Sequence, residues 1–528
     1  MQRGNFFKKV MFANKTFIVF FFPFFFILAL LFVNPIGNFP LNDDWSYGRV
    51  ALELVRSGVY SPLNSGGMTL ISHVTWGALV AKIFAPDFTG LRLSSLFALF
   101  ISSLLLIKII NLNKTPDLLI FWLIFVFNPV IFLASNTFMT NISFQMFFLA
   151  SVYSYQLLDK NESTLKKTTV FLSTTLAVMC RQVGLILPVT YFIIDKIKKK
   201  ENIFKIPLSN FYFLLIFSNI IFIFIYYLSY KSKIVGPYGF GAGERNLINN
   251  LFDKNLIEDK VHNFIFLTQL ISVPLFPVIL TRIKKLEILI SVALAIFAFH
   301  ILPHQFSEII SGYYRNGFNP IVLKEFPFQF PTYVLSIINY LSLISFFSLF
   351  CFAISIFKEL PLKSNLLKNS DNKFTFLLMF FLYSIPIYIS YKVYEEYTIP
   401  SFVLLLILIS KYKKKNKFNI ISYLFAIAIV FFSLFGVKDY LSWNRVRWSI
   451  LNNLEFIKQT PAYLIDGAFE WNNYKFYPNG RNFNAEPKFS IKFLNLSNST
   501  SENLIIQKEC YYSYLFFNDV CLVAYKVK

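Results

Sequence analysis

The run Asn42-Asp43-Asp44-Trp45-Ser46-Tyr47 places two adjacent carboxylates and a phenol in a polar stretch between apolar segments. One carboxylate there can take a proton from a hydroxyl. Its neighbour can orient it, or the two, Asp43 and Asp44, can hold a divalent cation such as Mg or Mn. The same residues could instead cap a helix, because Asn and Asp side chains accept the free N–H groups of a first turn. Both readings stand on sequence alone. A second signal is Arg181, set in an apolar neighbourhood and followed by Gln182-Val183-Gly184. An Arg at membrane depth costs roughly 2.5–3.5 kcal/mol on insertion scales and usually has a partner. That partner is either an anionic phosphate or the lipid headgroups, reached by snorkelling. Arg315, Lys324 and Lys392 could also meet a phosphate or be ordinary loop charges, and His300 and His304 could ligate a metal or be solvated. The run Gly236 to Gly243 has no strand before it or helix after it, and reads as a loop rather than a nucleotide cradle.

The elements that must position these residues follow from composition. The chain is 56% hydrophobic, with 67 Phe, and only 15% charged, against about 25% charged in soluble domains. No single core of a soluble protein absorbs that much apolar surface, so a bilayer must serve as the solvent. Apolar runs fall at approximately 17–33, 91–110, 116–134, 142–158, 168–180, 184–196, 207–230, 262–281, 286–303, 333–357, 374–390, 399–411 and 418–437. Spanning takes about 20 residues per helix, so these give about thirteen crossings. The first run follows a basic start, Arg3 to Lys15, with no small-residue cleavage site, and reads as a retained helix.

A net charge of +22 would suit nucleic acid, but the Lys residues sit in short runs between apolar segments, such as Lys198-Lys199-Lys200, Lys284-Lys285 and Lys413-Lys414-Lys415. Short basic loops mark the cytoplasmic side. An odd number of crossings then puts the N-terminus inside and the C-terminus outside, in an integral, multi-pass plasma (inner) membrane protein.

The fold class expected is an all-α polytopic membrane protein with a small extracytoplasmic α/β domain. Residues 1–437 form the membrane domain and 438–528 the soluble one. The first outer loop, 34–90, should carry two interfacial helices. One follows Asp44, with Tyr47, Val50, Ala51, Leu54 and Val55 on one face and Ser57-Gly58 ending it. The other covers Ser72–Phe84. Past Lys438, Tyr440 to Ile457 reads as an amphipathic helix, and Ala462–Asp466, Phe489–Phe493 and Cys521–Val527 as strands. Cys180 and Cys351 lie in apolar runs. A hairpin turning at Asn518-Asp519 would set Phe516 opposite Cys521, leaving Cys510 too far away to bond.

The order of several motifs resembles the GT-C class of membrane glycosyltransferases, the glycosyltransferase family 39-like group that holds protein O-mannosyltransferases and lipid A aminoarabinose transferases. The acidic pair, then Tyr47, then an amphipathic helix ending in Gly58 is similar to that family's first loop. So are Trp76-Gly77, Gly90-Leu91-Arg92-Leu93-Ser94, Asn128-Pro129, Thr137 to Asn141, Arg181 to Gly184, and Tyr394 to Pro400. The tail, with Arg447-Trp448 and Ile465 to Asn472, resembles tails of one bacterial branch. The resemblance implies a GT-C-like fold and transfer of a sugar from a polyprenyl-phosphate donor to a hydroxyl on a lipid, glycan or protein acceptor outside the cytoplasm. Asp43 would be the base and Asp44 its orienting partner or cation ligand. Arg181, with Lys392 and Arg315, would bind donor phosphate, and Tyr47, Asn141 and Tyr397 would line the site. Two departures stand out: Asn141 occupies a position where the family usually has Asp, and Glu396 one where it often has Arg. The competing readings are a flippase or transporter of lipid-linked sugars, which predicts internal repeats, and a polysaccharide polymerase or ligase, which predicts a large later loop.

Overall fold

The computed structural model describes residues 15–63, 71–111, 118–202, 209–234, 257–301, 332–359, 373–389, 395–412, 420–476, 487–494 and 505–527. Helices α1 Lys15–Val33, α2 Asp44–Ser57, α3 Ile71–Phe84 and α4 Phe88–Asn111 open the chain. Then come α5 Leu118–Val126, α6 Pro129–Ser135, α7 Thr140–Lys160, α8 Thr164–Cys180 and α9 Ile186–Lys199. The remainder of the membrane domain is α10 Phe211–Ile234, α11 Ile257–Ile279, α12 Lys285–Ile301, α13 Thr332–Glu359, α14 Lys373–Ile389, α15 Ile399–Ser410 and α16 Ile420–Asn452.

Among the described residues, the apolar runs read as spans are helical over most of their length. By length and composition, however, four helices among the described residues are sufficient to cross a membrane: Phe88–Ile110, Phe211–Lys231, Ser336–Ile356 and Ile420–Ile457. A fifth crossing results if α5 and α6 count as one span bent by 59°. The other runs are too short or too polar to pass the same test, so thirteen crossings are not established. On α10, Phe217, Phe224 and Leu228 point outward and stay exposed, as an apolar surface covered by lipid would.

Two breaks interrupt the helical runs. Between α5 and α6, the Asn128 side chain accepts the N–H groups of Val130 (2.9 Å) and Ile131 (3.2 Å). Pro129 takes the first helical position, where no N–H is needed, and Ser433 Oγ donates to the Phe127 carbonyl (2.6 Å). Between α8 and α9, a 3₁₀ turn covers Gln182–Leu185. Gly184 packs so tightly there that a Cβ would sit 2.9 Å from the Ala177 and Val178 backbone.

The last helix runs across the expected domain boundary. α16 runs unbroken from Ile420 to Asn452 and continues as a π turn, Asn453–Ile457. The Tyr440–Ile457 segment is therefore its extension, not a separate helix. Helical hydrogen bonds do not depend on side-chain polarity, so the drop in hydropathy at residue 438 marks no break. Beyond it, the chain forms β1 Ile465–Asp466, α17 Ala468–Phe476, β2 Phe489–Phe493, β3 Ile505–Ser513 and β4 Asn518–Lys526. The sheet order is β1-β2-β4-β3, with β1 parallel to β2 and the other pairs antiparallel. Of the expected strand Ala462–Asp466, only its last two residues pair. Ala462–Leu464 is a 3₁₀ turn.

The hairpin register also differs from expectation. Ser513 pairs with Asn518 and Cys510 with Cys521, and the two cysteines form a disulfide. The turn comes earlier because Asp439, on α16, accepts from Ser513 Oγ (2.5 Å), Tyr514 N (2.7 Å) and Leu515 N (3.1 Å). This grip gathers residues 514–517 into the turn and slides Cys510 opposite Cys521.

Candidate active site

The segment between α1 and α4 builds its own small core. Tyr47, Val50 and Ala51 of α2 pack on Val74 and Ala81 of α3, on Phe88 and Leu91 of α4, and on Phe138. Gly58 ends α2 in the left-handed region (φ 72°), donating its N–H to Leu54 O, a conformation that only Gly reaches without cost. Arg92 of α4 stitches the loop before α2, donating to the carbonyls of Pro35 (2.5 Å), Gly37 (3.3 Å) and Phe39 (3.0 Å).

The two adjacent carboxylates have different surroundings. Asp44 is 1% exposed, and its Oδ1 accepts the Phe138 N–H at 2.7 Å. The Phe138 carbonyl is held in turn by His73 Nε2 (3.2 Å). A carbonyl only accepts, so Nε2 carries the proton, and Nδ1 accepts from Ser143 Oγ (3.0 Å). Burial pushes His73 down to about 3 and keeps it neutral. Asp44 is thus a strut that ties α2 to the 137–141 turn. Burial raises its carboxyl to about 7 against the opposing pull of the Phe138 N–H and Arg92.

Asp43 stands at the N-cap position of α2, yet its side chain makes no capping hydrogen bond. The Asn42 side chain does not cap either and accepts from Tyr440 Oη (3.4 Å). The capping explanation of these three residues therefore does not hold. Burial, and then the nearby charge of Glu470, raise Asp43 to about 6.

Groups from two other segments act electrostatically on the Asp43–Tyr47 turn. Tyr47 lies within electrostatic reach of Asp43, Arg181, Tyr397 and Glu396, and Glu396 within reach of Arg181 and Asp43. Arg181 ends α8 and is 8% exposed, with its guanidinium 5.0 Å from the Tyr397 ring centre and 6.0 Å from that of Phe144. Such stacking suits a cation in a dry site. Among the described residues, no carboxylate lies within ion-pair distance of it. Tyr397 and Glu396 sit on a 3₁₀ turn, Glu395–Thr398, closed by Thr398 Oγ1 donating to Glu395 O (2.6 Å). Asn141 Nδ2 donates to the Glu396 carbonyl at 3.0 Å. An ionised Asp at position 141 could not make that bond, so here Asn141 serves as a fastener for the turn.

Arg181 and Tyr397 are thus in contact and both act electrostatically on Tyr47, as does Asp43, while Asp44 and Asn141 bond to the backbone of Phe138 and Glu396. Arg315, Lys324, Lys392, His304 and the Gly236 to Gly243 run lie outside the described residues, as do the side chains of His262 and His300. No group of three His, Cys, Asp or Glu side chains capable of holding a metal occurs among the described residues, and Oδ1 of Asp44 is already committed to a backbone N–H. Sequence reasoning missed Glu396 as an acidic member of the site. Burial, then Glu395 and Asp43, hold its carboxyl well above the usual carboxylate range. Its place beside Tyr397 was the available signal. Glu470 was missed as well, and nothing local in sequence points to it.

No family model matches the chain, and no curated relative does. Among solved structures, it is similar to ArnT from Cupriavidus metallidurans bound to undecaprenyl phosphate, at 11% identity and a TM-score of 0.42, over 97% of this chain and 98% of that one. It is also similar to the same protein in the apo state, at 10% identity and a TM-score of 0.38, over 96% and 98%.

Proposed function

We propose that this chain is a membrane glycosyltransferase that moves a sugar from a polyprenyl-phosphate donor to a hydroxyl on an acceptor outside the cytoplasm. One observation carries the reading: Asp43, uncapped, and Arg181, stacked on Tyr397 without a carboxylate partner among the described residues, both act electrostatically on Tyr47 and Glu396. A base and a cation held apart in one site are what sugar transfer from a lipid phosphate requires.

Asp43 takes the proton of the acceptor hydroxyl as that oxygen bonds to the anomeric carbon. The bond from that carbon to the phosphate oxygen breaks, and the polyprenyl phosphate leaves as an anion, so no general acid is needed. Arg181 meets the developing phosphate charge, where a preorganised cation is most effective. A single displacement of this kind inverts the anomeric centre. Asp43, raised to about 6, is ionised at neutral pH and basic enough to assist. The Cys510–Cys521 disulfide supports an extracytoplasmic soluble domain, since disulfides persist in oxidising compartments.

The test is a proteoliposome assay with undecaprenyl phosphate carrying a radiolabelled hexose or pentose. Release of the sugar onto an acceptor, abolished in Asp43→Asn, supports the reading. Movement of intact lipid-linked sugar across the bilayer without cleavage overturns it in favour of a flippase.

A further inference from the structure

We infer that Glu470, carried by the soluble domain, is a positioning residue for the base loop, so that the active site is complete only with α17 docked on it. The inference rests on the assignment of Asp43 made above.

Glu470 is 2% exposed and spends its two oxygens on different parts of the molecule. Oε2 accepts from Arg447 Nη1 on α16 at 2.8 Å. Oε1 accepts the backbone N–H of Asn42, the residue immediately before Asp43, at 3.3 Å. Asn42 is itself in the left-handed region, φ 49°, where Asn is among the few non-glycine types tolerated. It is the hinge from which Asp43 departs, and its side chain is held by Tyr440 of α16. Around this pair the contact is broad. Arg49 of α2 donates to the Tyr474 carbonyl, Phe88 packs edge-on against Tyr474, Phe39 stacks near Trp448, and Arg445 donates to the carbonyls of Asn34 and Ile36. The Asn42 amide precedes α2 and has no partner within it. Without Glu470 it would be left unpaired at the foot of the catalytic loop.

The ion pair and the tether can be separated. Arg447→Met/Glu470→Gln and Arg447→Met/Glu470→Leu both remove the charges, but only Gln keeps an oxygen for the Asn42 N–H. Amide hydrogen exchange over residues 38–47 of the full-length protein in nanodiscs reads the tether without reference to chemistry. We expect the Leu variant to exchange about tenfold faster at Asn42 than the Gln variant, with the β2–β4 ladder equally protected in both. Equal exchange at Asn42 in the two variants overturns the inference. In the unaltered chain, which needs no variant to fold, the Asn42 amide should be protected like that ladder. Exchange there at the rate of an open loop overturns the inference equally. Sugar release, assayed in parallel, should fall in the Leu variant and recover in the Gln variant. Full transfer by Asp43→Asn would remove the function proposed for the site, yet leave the exchange result to decide on Glu470.

Discussion

The two helix breaks in the membrane domain are alike in backbone and opposite in what they leave over. At Asn128 polar groups released by the bend find protein partners: two N–H groups go to the Asn128 side chain and the Phe127 carbonyl to Ser433. At Arg181 the backbone is also closed, with Arg181 N donating to Ala177 O (3.0 Å) and Gly184 N to Arg181 O (2.9 Å), but among the described residues the guanidinium stacks on the rings of Phe144 and Tyr397 and forms no ion pair. The first loop repeats the contrast within a single dipeptide, where Asp44 is committed and Asp43 is not. A buried polar group whose partners are all protein is building structure. One whose charge is left over is waiting for a ligand.

The largest effect that tests this contrast is at Asp43. Asp43→Asn should fold normally and lose roughly 10²–10⁴-fold in turnover, the worth of general-base assistance. The base acts deprotonated, so wild-type kcat/KM should rise with pH through about 6 and level off above it. A wild-type rate in the variant would erase the distinction between Asp43 and Asp44. Next comes Arg181→Ala, expected to lose about 10²–10³-fold, with Lys restoring only part because it lacks the planar fork. Unchanged kinetics would make the two breaks equivalent.

Asn128→Ala should invert that outcome. Loss of the cap should cost about 0.5–2 kcal/mol, read as a lower Tm in detergent, while turnover per folded molecule stays at the wild-type value. The smallest effect belongs to Asp44→Asn, whose side-chain oxygen can still accept from Phe138. The folded-state carboxyl lies above its unfolded value, at about 7. Its contribution to stability is therefore full below the unfolded value and lost as pH rises through about 7. The Tm of the variant relative to wild type should be more favourable at pH 8 than at pH 5. A chelator should leave turnover intact, and a strong loss on chelation would return Asp44 to the role of cation ligand.

Much of the fold was legible because its signals are local. The apolar runs became helices, α2 and α3 appeared where their periodicity placed them, and Gly58 stopped α2. What failed depended on partners far along the chain. Cys510 reaches Cys521 because Asp439 gathers residues 514–517 into the turn, which no pattern within the hairpin encodes. The N-cap preference of Asp43 is real as a tendency, but here the side chain goes unused while Asn42 is drawn to Tyr440 and Glu470. Glu396 read as a lost phosphate contact, and only its proximity to Asp43 and Arg181 reveals an acid in the site.

The unbroken α16 makes the protein a geared machine. Its 33 residues amount to roughly 50 Å of rod, longer than the roughly 30 Å hydrocarbon layer, and each residue turns the rod by about 100°. The soluble domain is mounted on that shaft, so its angular setting over the site is fixed in steps of single residues. One residue inserted near Lys438 would swing Glu470 about a quarter turn from Asn42, whereas eighteen, five full turns, would restore its bearing and miss only in height.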